Sequence, residues 1–210
     1  MRTFLASLVA VALLASCASR PKPLPSGPVV AVLAVRVKGE KTDQRVVIDL
    51  FEGDAPLTVA NFKQLVQEGY YDGMRFHRVF PASFVQTGDP YSRHGDNERS
   101  GTGGPGYTVP AEIKRNHVTG SVATSRLEDD VNPTRASNGS QFYVCLEPMP
   151  QLDGEYTVFG EVIEGLDVLK FVSGQKTDSN DFPLEKIVIQ SIHLEPRVAP
   201  AASGSANPGL

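Results

Sequence analysis

The sequence predicts a mainly β fold, in which a closed antiparallel barrel of about eight strands is capped by two helices. Short runs rich in β-branched and aromatic residues recur along residues 29–195, and several of them alternate apolar with polar positions. Two segments, residues 55–69 and 164–172, have helical periodicity instead. Polar stretches rich in glycine separate these elements, and we expect them to be surface loops because they contain no core of their own.

The first elements of this fold are a hairpin and a helix. Residues 29–38 and 45–51 are predicted to be strands joined by a short turn. Pro56 suits the first turn of a helix, and Asp54 is expected to cap that helix. Gly69 is expected to end it, since glycine commonly follows the last helical turn.

The remaining elements are mostly short strands between long loops. Residues 74–80 and 83–87 are predicted to be two strands that meet at Pro81. The other predicted strands are residues 121–125, 141–146, 156–162 and 184–194, the loops are residues 90–106 and 127–138, and the second helix is residues 164–172. This count of about eight strands and two helices, with long loops, suits a closed antiparallel barrel capped by helices.

Four motifs occur in order along these elements. They are Phe-His-Arg-Val-Phe-Pro-Ala-Ser-Phe-Val-Gln-Thr-Gly-Asp at 76–89, Gly-Thr-Gly-Gly-Pro-Gly-Tyr at 101–107, Asn-Gly-Ser-Gln-Phe-Tyr-Val at 138–144 and Leu-Asp-Gly-Glu-Tyr-Thr-Val-Phe-Gly at 152–160. In this order they resemble the cyclophilin family of peptidyl-prolyl isomerases, and the resemblance covers residues 29–195. It implies an eight-stranded barrel with a helix over each open end and an active groove on the outer wall.

The chemistry of such an isomerase would centre on Arg78. Resonance gives the Xaa-Pro amide a rotation barrier of roughly 18–20 kcal/mol. A catalyst must hold the proline ring in an apolar pocket and stabilise the twisted amide with a fixed donor, which requires no nucleophile, metal or cofactor. Arg78 suits this role because its guanidinium stays charged and presents a rigid fork of donors. A long cation within an apolar strand is otherwise costly unless it faces a cleft or a partner.

The resemblance implies the other residues of the site. It places Gln86 beside Arg78, gives Gln141 the binding of substrate backbone, and makes Tyr143 and Leu152 parts of the proline pocket. The further groove residues that it implies are Phe84, Gly101, Thr102, Ser125, Arg126 and Tyr156.

Several positions depart from the family pattern. Ser83 and Phe84 stand where the family has a Phe followed by Met or Leu, and the loss of one ring could cost about 1–3 kcal/mol in substrate binding. Tyr143 replaces the usual Phe, so its hydroxyl needs water or a partner. Gln151 stands where some members have a Trp associated with cyclosporin, which implies weak drug binding. Tyr156 replaces a frequent His.

The two ends of the chain predict export and anchoring. An apolar run within residues 1–16 is typical of a signal peptide, and Leu-Ala-Ser before Cys17 resembles a bacterial lipobox. The resemblance implies cleavage before Cys17 and lipidation of that cysteine, hence a periplasm-facing protein of the cell envelope held to a membrane. With Ala at position 18, that pattern favours the outer membrane. The proline-rich residues 17–28 are expected to be a tether, and residues 196–210 a disordered tail.

Composition limits the other partners. A net charge of −4 argues against nucleic-acid binding. If Cys17 carries lipid, Cys145 is left unpaired, and it is expected to be a small buried residue. The four histidines, His77, His94, His117 and His193, lack the spacing of metal ligands, so no metal or cofactor is expected. Without coiled-coil heptads, a monomer is the default expectation.

Three functions remain open from the sequence. The first is an isomerase that acts on Xaa-Pro bonds of exported proteins through Arg78. The second is a proline-peptide binding module or chaperone whose turnover Ser83 has reduced. The third is a structural lipoprotein, which predicts no groove and an Arg78 buried in an ion pair.

Overall fold

The computed structural model describes residues 27–95 and 98–198. The predicted signal peptide, Cys17, most of the tether and most of the tail lie outside the described residues. Across the described part of the chain, no helix is both long enough and apolar enough to cross a bilayer.

Ten strands and two helices lie within the described residues. The strands are β1 (Val29–Val37), β2 (Gln44–Leu50), β3 (Arg78–Phe80), β4 (Phe84–Thr87), β5 (Thr108–Val109), β6 (Ser121–Thr124), β7 (Ser137–Asn138), β8 (Phe142–Cys145), β9 (Val158–Glu164) and β10 (Ile187–Pro196). The helices are α1 (Pro56–Gln67) and α2 (Leu166–Ser173). Short 3-10 turns occupy Pro90–His94 and Pro150–Leu152.

Eight of the strands form one antiparallel sheet in the order β10-β1-β2-β9-β6-β8-β4-β3. The sheet curls until residues just before β3 meet β10: the amide of Phe76 donates to the carbonyl of Ile187 (3.2 Å), and the amide of Ile189 donates to the carbonyl of Met74 (2.8 Å). The predicted eight-stranded antiparallel architecture with two helices is therefore confirmed. Only residues 78–80 of the predicted strand 74–80 form a ladder with β4. The residues just before them join β10 through a few backbone hydrogen bonds, and these bonds complete the curl.

The main core fills the inside of the curled sheet and extends under both helices. On the inner side, Phe62 of α1 packs against Phe142 of β8 and Phe159 of β9, with ring centroids 5.7 and 5.3 Å apart. Leu169 and Val172 of α2 belong to the same buried cluster. Because the strands alternate, the opposite face of β6, β8 and β9 is free to build a second cluster on the outer wall.

The cap of α1 differs from the one predicted. Ala55 is the N-cap and makes no side-chain hydrogen bond, while Asp54 pairs with Arg115. The carboxylate of Glu112 instead accepts hydrogen bonds from the amides of Leu57 (3.0 Å) and Thr58 (2.8 Å). The prediction for Asp54 is wrong because a carboxylate from a distant loop reaches the free amides of the first turn and suits their positive dipole.

Candidate active site

A cavity of about 380 Å³ opens on the outer wall of the sheet. Its lining combines apolar rings with a few polar and charged groups. The lining residues are His77, Arg78, Phe84, Gln86, Ser100, Gly101, Ser125, Arg126, Glu128, Tyr143, Met149, Leu152, Tyr156 and Asn180.

All but two of the groove residues named from the sequence line this cavity. The side chain of Thr102 instead turns back to its own loop and donates to the carbonyl of Arg99 (2.7 Å). Gln141 is only 2% exposed and lies behind the wall. Neither residue is among those that line this cavity, and their assignment to the substrate groove stays a prediction.

Arg78 lies at the edge of the cavity, on β3. Its side chain is 48% exposed, and its Nε is 3.8 Å from the carboxylate of Asp181. The guanidinium carbon is 4.9 Å from the ring centroid of Phe80 and 5.4 Å from that of Phe84. Both distances suit a cation–π contact, which holds the cation against the apolar wall. The buried ion pair predicted by a structural lipoprotein is therefore absent at Arg78, and a groove is present beside it.

Two side-chain amides and a carboxylate fix the loop that carries Gly101. Gln86 lies opposite Arg78 in the β3–β4 ladder, and its Nε2 donates to Oε1 of Gln141 (2.9 Å). Nε2 of Gln141 donates to the carbonyls of Gly101 (2.9 Å) and Gly103 (2.8 Å). The fully buried Asp89 accepts from the amides of the same two glycines, at 2.5 and 2.9 Å. The position of Gly101 in the groove therefore depends on Gln141 and on Asp89, which the sequence analysis missed.

Aromatic rings form the apolar part of the cavity. Phe84 stacks on Phe80 at 4.9 Å and meets the edge of Tyr143 at 6.0 Å. Tyr143 and Tyr156 are nearly perpendicular at 5.9 Å. Ser83 does not line the cavity, whereas Phe84 does. Phe84 thus supplies one aromatic wall where Ser83 supplies none.

Arg126 closes one end of the cavity with a satisfied charge. Its side chain is only 6% exposed and pairs with the carboxylates of Asp129 (2.5 Å) and Glu155 (3.1 Å). Its guanidinium carbon is also 4.7 Å from the ring centroid of Tyr156. Arg135 joins the same two carboxylates, at 2.8 and 3.0 Å, which ties the loop after β6 to the groove. This end is therefore rigidly built, with little free charge on Arg126.

Sequence reasoning also missed two of the most buried lining residues. His77 is 4% exposed, and its burial lowers the pKa of the imidazole to about 4. Met149 is 7% exposed and belongs to the outer cluster with Ala123, Tyr143 and Val158. The sequence offered a signal for His77, which directly precedes Arg78. For Met149 it offered none, because an isolated methionine before a proline has no periodic pattern.

Neither a metal site nor a reactive thiol is built from the described residues. No group of three or more His, Cys, Asp or Glu side chains among them is placed to hold an ion. Cys145 is buried on the outer face of β8, and burial raises the pKa of its thiol to about 12. As a result, the thiol stays protonated at neutral pH and packs as a small apolar group.

The curled antiparallel sheet carries an aromatic pocket and an exposed arginine on its outer wall. The family model described as cyclophilin type peptidyl-prolyl cis-trans isomerase/CLD matches residues 34–194. The chain belongs to this family. The class of enzyme expected from the sequence, a peptidyl-prolyl cis-trans isomerase, is thereby confirmed.

Individual relatives agree with this assignment. A peptidyl-prolyl cis-trans isomerase of Synechococcus elongatus is 46% identical over 115 residues, which cover 54% of this chain and 70% of the relative. Peptidyl-prolyl cis-trans isomerase B of Bacillus subtilis is 42% identical over 132 residues, covering 61% and 83%. The crystal structure of a cyclophilin type isomerase of Cryptosporidium parvum has a TM-score of 0.68 at 25% identity, covering 80% of this chain and 98% of that one.

Proposed function

We propose that this chain accelerates rotation about Xaa-Pro bonds with Arg78 as the donor to the twisted amide. The observation that carries this proposal is the guanidinium of Arg78, half exposed and held over the ring of Phe84 at the edge of the cavity. A fixed cation beside an apolar pocket can interact with the amide while the proline ring is held still. Because it is preorganised, it stabilises the developing charge without reorganisation at the moment of reaction.

In this mechanism the proline ring enters the cavity and packs against Phe84, Tyr143 and Leu152, which line it together. Twisting the amide removes its resonance, so the prolyl nitrogen becomes pyramidal and more basic. Arg78 then donates to that nitrogen and lowers part of the barrier of roughly 18–20 kcal/mol. Gln86 lies opposite Arg78 on β4 and holds the side-chain amide of Gln141. No covalent intermediate forms.

The groove on the far side of the pocket would hold the residues that flank the proline. Gly101, Ser125 and Arg126 line this part of the cavity, and Gln141 supports it from behind. The Cryptosporidium isomerase has also been crystallised in the presence of the dipeptide Ala-Pro, with a TM-score of 0.67 and 25% identity to this chain. That likeness supports short Xaa-Pro segments of unfolded or extended polypeptides as substrates of this chain.

The test compares the purified chain with Arg78→Ala, Arg78→Lys and Arg36→Ala. Isomerisation of a short Ala-Pro peptide and refolding of a proline-limited protein are measured. We expect kcat/KM to fall about 10²-fold in Arg78→Ala and less in Arg78→Lys, which retains charge but loses the planar fork. Arg36 lies on β1, does not line the cavity and pairs with Asp43, so its variant should match the wild type. Equal rates for wild type and Arg78→Ala would reject the role of Arg78 and favour a proline-peptide binder.

We further propose that the chain works at the cell envelope as a lipid-anchored protein that assists the folding of exported proteins. The support is the order Leu14-Ala15-Ser16-Cys17 after an apolar run, followed by a proline-rich tether. Several acyl chains on Cys17 would give stable anchoring where one chain alone is marginal. Ala18 favours the outer membrane where two membranes exist.

The anchor is tested by expressing the full chain in a bacterium and separating detergent-rich from aqueous phases. We expect the wild type in the detergent phase and Cys17→Ser in the aqueous phase, because that variant loses the acceptor of the lipid. Cys145→Ser is the matched control, since the other cysteine is buried in the fold. A wild-type chain that stays in the aqueous phase would overturn the anchor without affecting the assignment of Arg78.

A further inference from the structure

The hydroxyl of Tyr143 begins a series of hydrogen bonds that continues through His117 to Asp153. Its Oη lies 2.9 Å from Nε2 of His117, and Nδ1 of His117 lies 3.1 Å from the carboxylate of Asp153. The same carboxylate oxygen accepts the backbone amide of His117 at 2.7 Å. The side chain of His117 is wholly buried. The hydroxyl that the sequence left in need of a partner therefore has one.

The hydrogen bonds that join Tyr143, His117 and Asp153 all run in one direction. An ionised carboxylate only accepts, so Nδ1 of His117 carries the proton that faces Asp153. Nε2 is then an acceptor, and the hydroxyl of Tyr143 donates to it. Burial lowers the pKa of His117, partly offset by the hydrogen bond to Asp153, so the imidazole is neutral at neutral pH. The tautomer of His117 thus determines where the proton of Tyr143 points.

His117 contacts three residues that line the cavity. Its ring is parallel to that of Tyr143, with centroids 6.0 Å apart and planes 6° apart, and it meets the edge of Tyr156 at 6.4 Å. Its carbonyl accepts the amide of Met149 at 2.9 Å. Asp153 ends the 3-10 turn that carries Leu152. One buried imidazole therefore connects both tyrosines of the pocket with the turn that forms its floor.

The order of Tyr, His and carboxylate is also that of a nucleophile, a base and an orienting group. Here, however, burial raises the pKa of Tyr143 well above its ordinary value, and the hydroxyl is directed inward toward His117. A phenol that stays protonated and faces away from the cavity cannot attack a substrate. The arrangement is therefore structural in its effect on the pocket and has no covalent chemistry.

We propose that His117 and Asp153 are positioning residues for the proline pocket, acting through the hydroxyl of Tyr143. This inference rests on the proposed function of the same groove. These hydrogen bonds fix the ring of Tyr143 against Phe84, so the wall that the two rings form keeps the shape on which a proline ring packs. Because the pocket holds the ring equally in the ground state and in the transition state, its loss raises KM and leaves kcat nearly unchanged. Arg78 acts in the opposite way, on kcat.

The test is a double-mutant cycle in the full chain with Tyr143→Phe, Asp153→Ala and the pair. The affinity for a short Ala-Pro peptide is measured by NMR titration, and kcat and KM by exchange spectroscopy. We expect Asp153→Ala to weaken binding about fivefold, and to have no further effect once Tyr143→Phe has removed the hydroxyl. Asp153→Asn retains an oxygen that accepts from His117 and should bind within about twofold of the wild type. Glu40→Ala, in an exposed turn, is the control.

Two outcomes overturn the inference. One is equal weakening by Asp153→Ala with and without the hydroxyl of Tyr143, which would mean a general effect on the fold. The other is a nitrogen-15 spectrum of the side chain of His117 with the proton on Nε2. If Asp153→Ala fails to fold, this spectrum of the wild type and the affinity of Asp153→Asn still decide the matter. A wild type that binds but does not turn over would reject the proposed function alone, because the affinities retain their meaning.

Discussion

Ala82 connects β3 to β4 with a backbone that suits glycine better than alanine. Its φ is +60°, in the left-handed region, where a Cβ costs roughly 1–2 kcal/mol. Glycine would remove this strain, while its greater freedom in the unfolded chain would offset about 0.4–1 kcal/mol of that gain in stability. We therefore expect Ala82→Gly to raise the free energy of unfolding by about 0.5–1 kcal/mol in urea titrations. Ala60→Gly on the exposed side of α1 should lower it by about 1 kcal/mol, and a loss in both variants would contradict the strain at Ala82.

His77 makes the stability of the fold sensitive to acid. Both ring nitrogens are buried, and neither makes a hydrogen bond of normal geometry with the described residues. Burial lowers its pKa from 6.5 to about 4, with a smaller contribution from Arg78 and an opposing one from Asp89. The unfolded chain therefore binds a proton that the folded chain refuses, and stability falls as the pH drops from about 6.5 to about 4.

The size of this effect follows from the shift. At about 1.4 kcal/mol per pH unit, His77 should remove on the order of 3 kcal/mol of the free energy of unfolding between pH 6.5 and pH 4. Urea titrations over this range on the wild type and on His77→Leu isolate its share, because the other titrating groups are common to both. Parallel curves for the two proteins would contradict a buried neutral imidazole.

The residues of the groove differ in how far the sequence predicted them. Arg78, Gln86 and Phe84 lie within one continuous motif, so their common strand pair placed them together. His117 and Asp153 could not be connected with Tyr143, because their contacts join residues far apart in the chain and depend on the direction of each side chain. Gln141 lies buried behind the lining of the cavity, and a strand pattern does not tell a lining amide from a supporting one.

Among the elements, α1 depends on a residue that no local rule identifies. The carboxylate of Glu112 accepts from the amides of Leu57 and Thr58 and from the hydroxyl of Thr58, at 2.8–3.0 Å. Local rules favoured Asp54 because capping is usually done by a neighbour in sequence. The small ribbon of β5 and β7 was missed for a similar reason, since two-residue strands have no periodic signal.

This cap should contribute measurably to stability. Removing an N-terminal cap costs about 0.5–2 kcal/mol, and Glu112 satisfies several donors at once. We expect Glu112→Ala to lower the free energy of unfolding by about 1–2 kcal/mol in urea titrations, and Glu112→Gln to lower it less, because the amide oxygen can still accept. Asp54→Ala should have the smaller effect. A larger loss in Asp54→Ala than in Glu112→Ala would mean that Asp54, and not Glu112, caps the helix.

At the scale of the whole molecule, the curled sheet separates stability from binding. Strand β8 alternates across the wall: Phe142 and Val144 belong to the inner core, whereas Tyr143 and Cys145 belong to the outer cluster. The alternation of apolar runs was sufficient to predict the sheet. It could not predict which face would carry the groove, because both faces of β8 are apolar and buried.

Two substitutions, one in the inner core and one in the outer cluster, should therefore change different properties. Phe142 contacts the rings of Phe62, Tyr71 and Phe159, so Phe142→Ala should lower the free energy of unfolding by about 3–5 kcal/mol. Leu152 is half-buried at the floor of the groove, so Leu152→Ala should cost below about 2 kcal/mol and raise KM for an Ala-Pro peptide about three- to tenfold.

Measurements on the same samples decide between these effects. Urea titrations give the stability of each variant, and exchange spectroscopy at a temperature where both remain folded gives KM and kcat. Normalised to folded protein, Phe142→Ala should retain the KM of the wild type, because the sheet transmits the loss to the whole fold and not to one wall of the groove. A raised KM in that variant would mean that the inner core also sets the width of the pocket, and the two faces would then have to be treated as one unit.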